Sequence, residues 1–239
     1  MKIDAHFTSG EVDQGDLADR LVVVIDVVRA TTTIVEALAN GARGIYPTDS
    51  TEEAVKLAHS LGRDDALLCG ERRGQKVEGF DLGNSPADFT PDAVGGKRLV
   101  MSTTNGTTAF SLAHESERVL ACAFTNLSAV AEEVSGVEEL VVLCAGREGR
   151  FSMADALCAG HLIARLVQES EDDHELNDAA MAAKTLASRK PSKRLLLGTA
   201  GGKALVEIGL EDDLEICVEI DRHDFVAEMV DQAVIRSGA

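Results

Sequence analysis

Residues 21–33 read LVVVIDVVRATTT. Five consecutive aliphatic residues without alternation predict a strand buried on both faces, as in the interior of a parallel sheet. The threonines that follow open a helix over about Thr31–Ala39, and Asn40-Gly41 supplies its stop signal. Strand, polar turn and helix in that order make one βα unit, with Asp26 and Arg29 in the turn.

The same grammar continues outward. A strand around Gly44–Pro47, a helix over about Thr51–Leu61 with Glu52 and Glu53 in its acidic first turn, and a short strand at Ala66–Cys69 come next. A glycine-rich stretch from Gly70 to Pro91 shows little periodicity, and loops that long inside a domain are usually functional or disordered. The pattern then restarts: strand Arg98–Met101, hydroxyl-rich turn Ser102–Thr107, helix Thr108–His114, strand Arg118–Cys122, helix Leu127–Val134 and strand Leu140–Cys144. Thr32-Thr33 aligns with Thr107-Thr108, and Ile45 with Leu120, at an offset of about 75 residues. The expectation is an α/β protein, layered α/β/α around a mostly parallel or mixed sheet. It forms one domain over 1–239, with two similar βαβα halves at about 1–97 and 98–239. Further on, a helix over Ser152 to about Gln168, a solvated acidic run at Glu169–Glu175, a helix at Leu176–Ser188, a strand at Leu214–Ile220 and a closing helix at Asp224–Ile235 complete the reading.

Composition narrows the function. The 239 residues carry 41 Asp plus Glu against 23 Lys plus Arg, a formal net charge of −18. Such a surface repels nucleic acid and anionic membrane. Eight of the basic residues are Lys, a scarcity that suits either a salty cytoplasm or simply a solvated acidic surface. No apolar run approaches the roughly 20 residues of a membrane span, and MKIDAHF lacks a signal-peptide core, so a cytoplasmic protein is expected. The five cysteines form no Cys-x-x-Cys pair, which disfavours a zinc knuckle or a disulfide framework.

Ligands of open α/β sheets bind beyond the carboxyl ends of strands, and three such ends here are rich in polar groups. At the first, Asp26 with Arg29, Thr31 and Thr32 offers a Mg²⁺ ligand or nucleophile beside an anion clamp. An Asp26–Arg29 ion pair with threonines capping the helix explains the same residues structurally. The second, Ser102 to Thr108, places five hydroxyls in seven residues at a helix start, with Thr103, Thr104, Asn105 and Gly106 as hydrogen-bond donors to an anion. The third, Cys144 to Ser152, sets Arg147, Glu148 and Arg150 among glycines, a cradle for phosphate or sulfonate. Cys144 and Arg150 also match the spacing of a cysteine-phosphatase loop, where a thiolate attacks phosphorus; a Cys ending an apolar strand is more often buried and inert. The long loop adds Glu71, Glu78, Asp81 and Asn84, oxygen donors for a hard cation or ordinary turn chemistry, and Asp155 lies one turn into the following helix. No Gly-x-x-x-x-Gly-Lys-Ser/Thr loop occurs, and Val28 stands where a haloacid-dehalogenase-type phosphatase carries a second Asp. A non-enzymatic binder of small organic anions would use the same arginines and amides.

Taken together, VVVIDVVRATTTIVEALANGA (22–42), CGERRGQKVEGFDLGNSP (69–86), STTNGTTA (102–109), CAGREGRFSMADALCAG (144–160) and GLEDDLEICVEID (209–221) resemble the 2-phosphosulfolactate phosphatase family over nearly the whole chain. The resemblance implies a Mg²⁺-dependent phosphatase that converts 2-phosphosulfolactate to 3-sulfolactate and phosphate, a step of coenzyme M biosynthesis in methanogens. On that basis Asp26 is the central carboxylate, holding the metal or attacking phosphorus, with Glu71, Asp81 and Asp155 in metal or acid–base roles and Glu148 counted with Asp26, Arg29 and Asp155 among the catalytic residues. Arg29, Arg147 and Arg150 clamp the anionic groups, and Thr31, Thr32, Asn84 and Thr103–Gly106 complete the substrate site. The chain departs from the family pattern at Gly198–Gly202, where a Ser-x-His-Gly-type string is usual, and at Ala154-Asp155, where an acidic pair is usual. The expected partner is a small anionic phosphomonoester, and a homodimer is left open.

Overall fold

Strand β2 (Leu21–Ile25) is buried at every residue, as its unbroken aliphatic run requires, and it sits deep in an eleven-stranded sheet. The computed structural model describes residues 1–62, 64–169 and 174–238. The other strands are β1 (Lys2–His6), β3 (Gly44–Pro47), β4 (Ala66–Arg72), β5 (Gln75–Lys76), β6 (Arg98–Ser102), β7 (Arg118–Cys122), β8 (Glu139–Cys144), β9 (Glu175–Leu176), β10 (Ala227–Val230) and β11 (Ala233–Arg236). Their order is β5-β4-β6-β3-β11-β10-β7-β2-β8-β1-β9.

The order interleaves the two halves of the chain. β2 pairs in parallel with β7 and β8, and β6 pairs in parallel with β3 and β4. β2 of the first half therefore lies between β7 and β8 of the second, and β6 of the second half lies between β3 and β4 of the first. The hairpin β10–β11 joins the triplets by antiparallel pairing, through only Val234 with Ile45 on one side and two register pairs on the other.

Alternation along the strands shows how the layers stack. Leu21, Val23 and Ile25 face one core with the helices Leu127–Glu133 and Met153–Glu169, while Val22 and Val24 face another. That second core also receives Leu99 and Met101 of β6, and between them lie the helices Ala30–Ala39 and Gly106–Ala113. Val100 points the other way, onto Ala54 and Ala58 of the helix Thr51–Leu61. Both triplets thus bury one face on a shared pair of helices and the other on helices of their own. The expectation of an α/β protein with a mixed, helix-layered sheet holds.

Several elements differ from the sequence expectation. Lys2–His6, read only for what it lacked, is a strand whose residues alternate in burial. Gly70–Pro91 is less irregular than expected, since β4 runs on to Arg72 and turns back as β5. Leu214–Ile220 is not a strand: Asp213–Cys217 is helical, because Leu214 and Cys217, one helical turn apart, are the buried pair while Ile220 is exposed. The apolar alternation at 214, 216, 218 and 220 imitates a strand on this helix and its C-terminal extension. Asp224–Ile235 is not a helix but the hairpin β10–β11, turned at Asp231 and Gln232, both with positive φ. A two-residue turn of that kind matches strand twist. Of the expected acidic loop, residues 170–173 lie outside the described residues. Among those described, no helix is long and apolar enough to cross a membrane.

Candidate active site

The carboxyl ends of β2 and β6 meet, and their two turns are closed by one device. Thr31 Oγ1 accepts the Asp26 amide at 3.0 Å and donates to the Asp26 carbonyl at 2.8 Å. Thr107 Oγ1 does the same for Thr103, at 3.2 and 2.9 Å. Thr32 donates to the Val27 carbonyl at 2.8 Å. The Thr31 and Thr32 hydroxyls, expected on the substrate, are spent inside the turn and fully buried.

The closeness of the turns depends on glycine. A Cβ on Gly106 would lie 2.4 Å from the Ala30 methyl and 2.8 Å from Asp26 Oδ2, so only glycine fits there. The resulting cleft is lined by Asp26, Arg29, Glu71, Asn84, Thr103, Thr104, Asn105, Arg147 and Glu148, nine residues from separate segments of the sequence. Arg73, Gly74 and Gly201 line it as well.

Glu71 is gripped by backbone. Its Oε2 accepts the Gly74 amide at 2.5 Å and its Oε1 the Thr104 amide at 2.7 Å, tying the β4–β5 turn to the end of β6. Arg72 reinforces this by donating to the Ser102 carbonyl at 3.0 Å and hydroxyl at 2.9 Å. Arg29 does not pair with Asp26. Its Nη1 donates to Asp213 at 2.6 Å and its Nη2 to the Gly74 carbonyl at 2.7 Å, and Ser85 donates to the other Asp213 oxygen at 2.6 Å. A continuous chain, Ser85–Asp213–Arg29–Gly74–Glu71, results. Asp213 and Ser85 lie within two of the sequence motifs, but no local pattern joins them to the site, since Asp213 is 184 residues from Arg29 and 128 from Ser85.

Asp26 is left facing Glu71 in a buried setting. Burial, then the Glu71 charge, pushes its carboxyl up to about 7, against the pull of the Ala30 amide, Arg29 and Arg147. Asn84 presents a buried Oδ1 with no hydrogen-bond partner. Two carboxylates and an orphaned amide oxygen are hard donors, and they suit Mg²⁺, which binds one or two carboxylates and keeps sites for water and phosphate oxygen. Among the described residues, no three His, Cys, Asp or Glu side chains gather into a closed cage. The set is an open one.

Other expected residues fall elsewhere. Asp81 is exposed, does not line the cleft, and accepts the Leu68 amide at 2.7 Å. Asp155 lies beneath the first turn, where Oδ1 accepts the Val27 amide at 2.9 Å; burial and the Asp26 charge hold its carboxyl well above the usual range. It does not line the cleft. Glu148 is exposed, and its amide donates to Asn105 Oδ1 at 2.8 Å. Arg150 is exposed outside the cleft and pairs through its backbone with Arg147. Cys144 is fully buried in the core, and burial raises its thiol well above the usual range, so it is neither reachable nor ionised as a nucleophile must be.

Fold and cleft define an α/β protein that sets the buried carboxylates Asp26 and Glu71 beside the anchored Arg29 in one cleft. A family model described as 2-phosphosulpholactate phosphatase matches residues 6–232, and the chain belongs to that family. A relative from Caldanaerobacter subterraneus subsp. tengcongensis is 37% identical over 232 residues, covering 96% of this chain and 95% of its own. Another from Thermotoga petrophila is 40% identical over 218 residues, covering 90% and 92%. One from Clostridium perfringens is 37% identical over 233 residues, covering 95% and 93%. All three carry the name probable 2-phosphosulfolactate phosphatase.

Proposed function

We propose that this protein is a Mg²⁺-dependent phosphomonoester hydrolase that converts 2-phosphosulfolactate and water to 3-sulfolactate and inorganic phosphate. The observation that carries the reading is one cleft lined by Asp26, Glu71 and Asn84, whose buried Oδ1 is unpartnered, together with Arg29, Arg73 and Arg147. Family membership and the relatives' names support the substrate.

Asp26, Glu71 and Asn84 would hold the metal. Bound there, Mg²⁺ would neutralise charge on the phosphoryl oxygens as the ester bond breaks. Arg29, fixed on two sides by Asp213 and the Gly74 carbonyl, presents its remaining N–H groups without reorganising, which is what transition-state stabilisation requires. Gly106 lets the second turn stand directly against Asp26 Oδ2. Burial excludes water from around Asp26 and strengthens each of these interactions. The three arginines of the cleft, Arg29, Arg73 and Arg147, would let a chain of net charge −18 bind a polyanion locally.

The test is phosphate release from 2-phosphosulfolactate with Mg²⁺ and with EDTA. Release that requires the metal is expected. Release undiminished by EDTA would remove the metal from the reading, and no release from a folded sample would remove the substrate.

A further inference from the structure

The helix Ala30–Ala39 is buried along almost its whole length, yet with its cap residue it carries a polar stripe. Arg29, Thr32 and Glu36 recur at intervals of three and four, the spacing of one helix face, and all three are buried. The stripe meets a single stretch from far along the chain. Arg29 donates to Asp213 at 2.6 Å, and Thr32 meets the Cys217 side chain. Glu36 Oε1 accepts His223 Nε2 at 2.6 Å and Arg222 Nε at 2.9 Å. Successive positions on the helix thus meet successive positions of 213–223. The far end of that stretch is also tied down by backbone: the Asp221 amide donates to the Phe124 carbonyl at 2.9 Å and the His223 amide to the Thr125 carbonyl at 2.8 Å.

A carboxylate in the middle of a buried helix is costly unless paired, and an apolar residue would fill the same space at least as stably. What an ion pair adds is register, because it is satisfied in only one alignment of the two segments. Glu36 stands two helical turns, about 10 Å, from Arg29 on the same stripe. We infer, on the basis of the phosphatase reading above, that Glu36 is a positioning residue for the reaction. Through Arg222 and His223 it sets the register of residues 213–223 along the helix, so that Asp213 holds the Arg29 guanidinium in its direction at the cleft. Glu36 itself does not line that cleft.

The experiment measures phosphate release from 2-phosphosulfolactate with Mg²⁺ in Glu36→Gln, Asp213→Asn and the double variant. Glu36→Gln keeps the side-chain size and removes the charge. Its kcat should fall about tenfold, as a slight misplacement of a remote-anchored group does, with a much smaller change in KM. A residue that serves stability alone would leave kcat per folded molecule unchanged, and that result would overturn the assignment. If Glu36 acts through Asp213, the double variant should lose little more kcat than Asp213→Asn; losses that multiply would make the two independent and overturn it as well. The same cycle in urea unfolding reads the coupling without turnover. A wild type that releases no phosphate but shows coupling in unfolding would remove the phosphatase reading and leave Glu36 setting the register of Asp213. A wild type that turns over, with additive effects in both cycles, would remove the register. Should Glu36→Gln fail to fold, Arg222→Gln, at the exposed side of the same contact, takes its place in both cycles, and additivity again overturns the inference.

Discussion

The two turns at the carboxyl ends of β2 and β6 share a scaffold and differ in what they carry. In each, a buried threonine hydroxyl closes a ring on the first residue beyond the strand. The first turn uses that fixed position for a carboxylate, Asp26, and adds Arg29; the second holds a neutral Thr103 and, at the start of its helix, the bare Gly106. One turn is thus loaded with buried charge, while the other is stripped down so that the first can be approached. Charge in the interior must be compensated, and the compensation for Arg29 comes from Asp213, far along the chain.

Asp213→Ala should therefore produce the largest effect and strike only the first turn. Removing one partner of a buried ion pair costs about 3–5 kcal/mol. Urea unfolding should show a loss of that order, with turnover falling as well because Arg29 loses its anchor. A loss below about 1 kcal/mol would mean that Arg29 is held by the Gly74 carbonyl alone.

Next in size is Asp26→Asn, which puts a neutral residue where the second turn has Thr103. Turnover should fall at least about a hundredfold, equivalent to about 2.7 kcal/mol of transition-state stabilisation. Thr103→Ala, at the matching position of the second turn, should cost far less. Less than a tenfold loss in Asp26→Asn would end the case for a central carboxylate.

The same substitution has a pH signature in metal-free protein. Burial and the Glu71 charge push the Asp26 carboxyl up to about 7 in the folded chain, against the pull of the Ala30 amide, Arg29 and Arg147 and with the buried Asp155 nearby, compared with 3.8 for an ordinary Asp. Between those values the folded protein keeps a proton that the unfolded chain has released. Stability in EDTA should thus fall as pH rises from about 4 through 7, by a few kcal/mol at most. In Asp26→Asn most of that slope should vanish. An identical slope in both proteins would assign it to Asp155 or another group.

Sequence patterning recovered the elements whose burial is continuous. β2, β6, β7 and β8 are apolar runs between polar turns, and the strand ends that gather Asp26, Glu71, Asn84, Thr103 and Arg147 were legible because polar residues cluster there. The C-terminal hairpin was not legible, since Phe225–Arg236 fits a helical period as well as an alternating one, and its turn uses Asp231-Gln232 instead of a glycine. The interleaving of the halves was hidden for another reason: strand neighbours are chosen across the chain, and nothing local in β2 names β7 and β8 as its partners. Long range also concealed Asp213 and Ser85. Local spacing suggested Asp26 as the partner of Arg29, and the structure pairs it otherwise.

The smallest effects belong to the shared scaffold, and they test the comparison most directly. Thr31→Val and Thr107→Val keep the side-chain shape but remove both bonds of the hydroxyl in each turn and leave the Asp26 or Thr103 amide unanswered, while the Thr31 amide still donates to the Asp26 carbonyl at 2.9 Å. Each should cost about 1–3 kcal/mol of stability, and by similar amounts, because the hydrogen-bond lengths and burial are alike. Their kinetics should part company. Thr31→Val loosens the backbone that aims Asp26 and should lower kcat, whereas Thr107→Val loosens a turn whose leading residue is neutral and should mainly affect stability. If Thr107→Val lowers kcat as much as Thr31→Val at equal folded fraction, then the second turn carries catalytic geometry of its own, and the division between a charged turn and a permissive one fails.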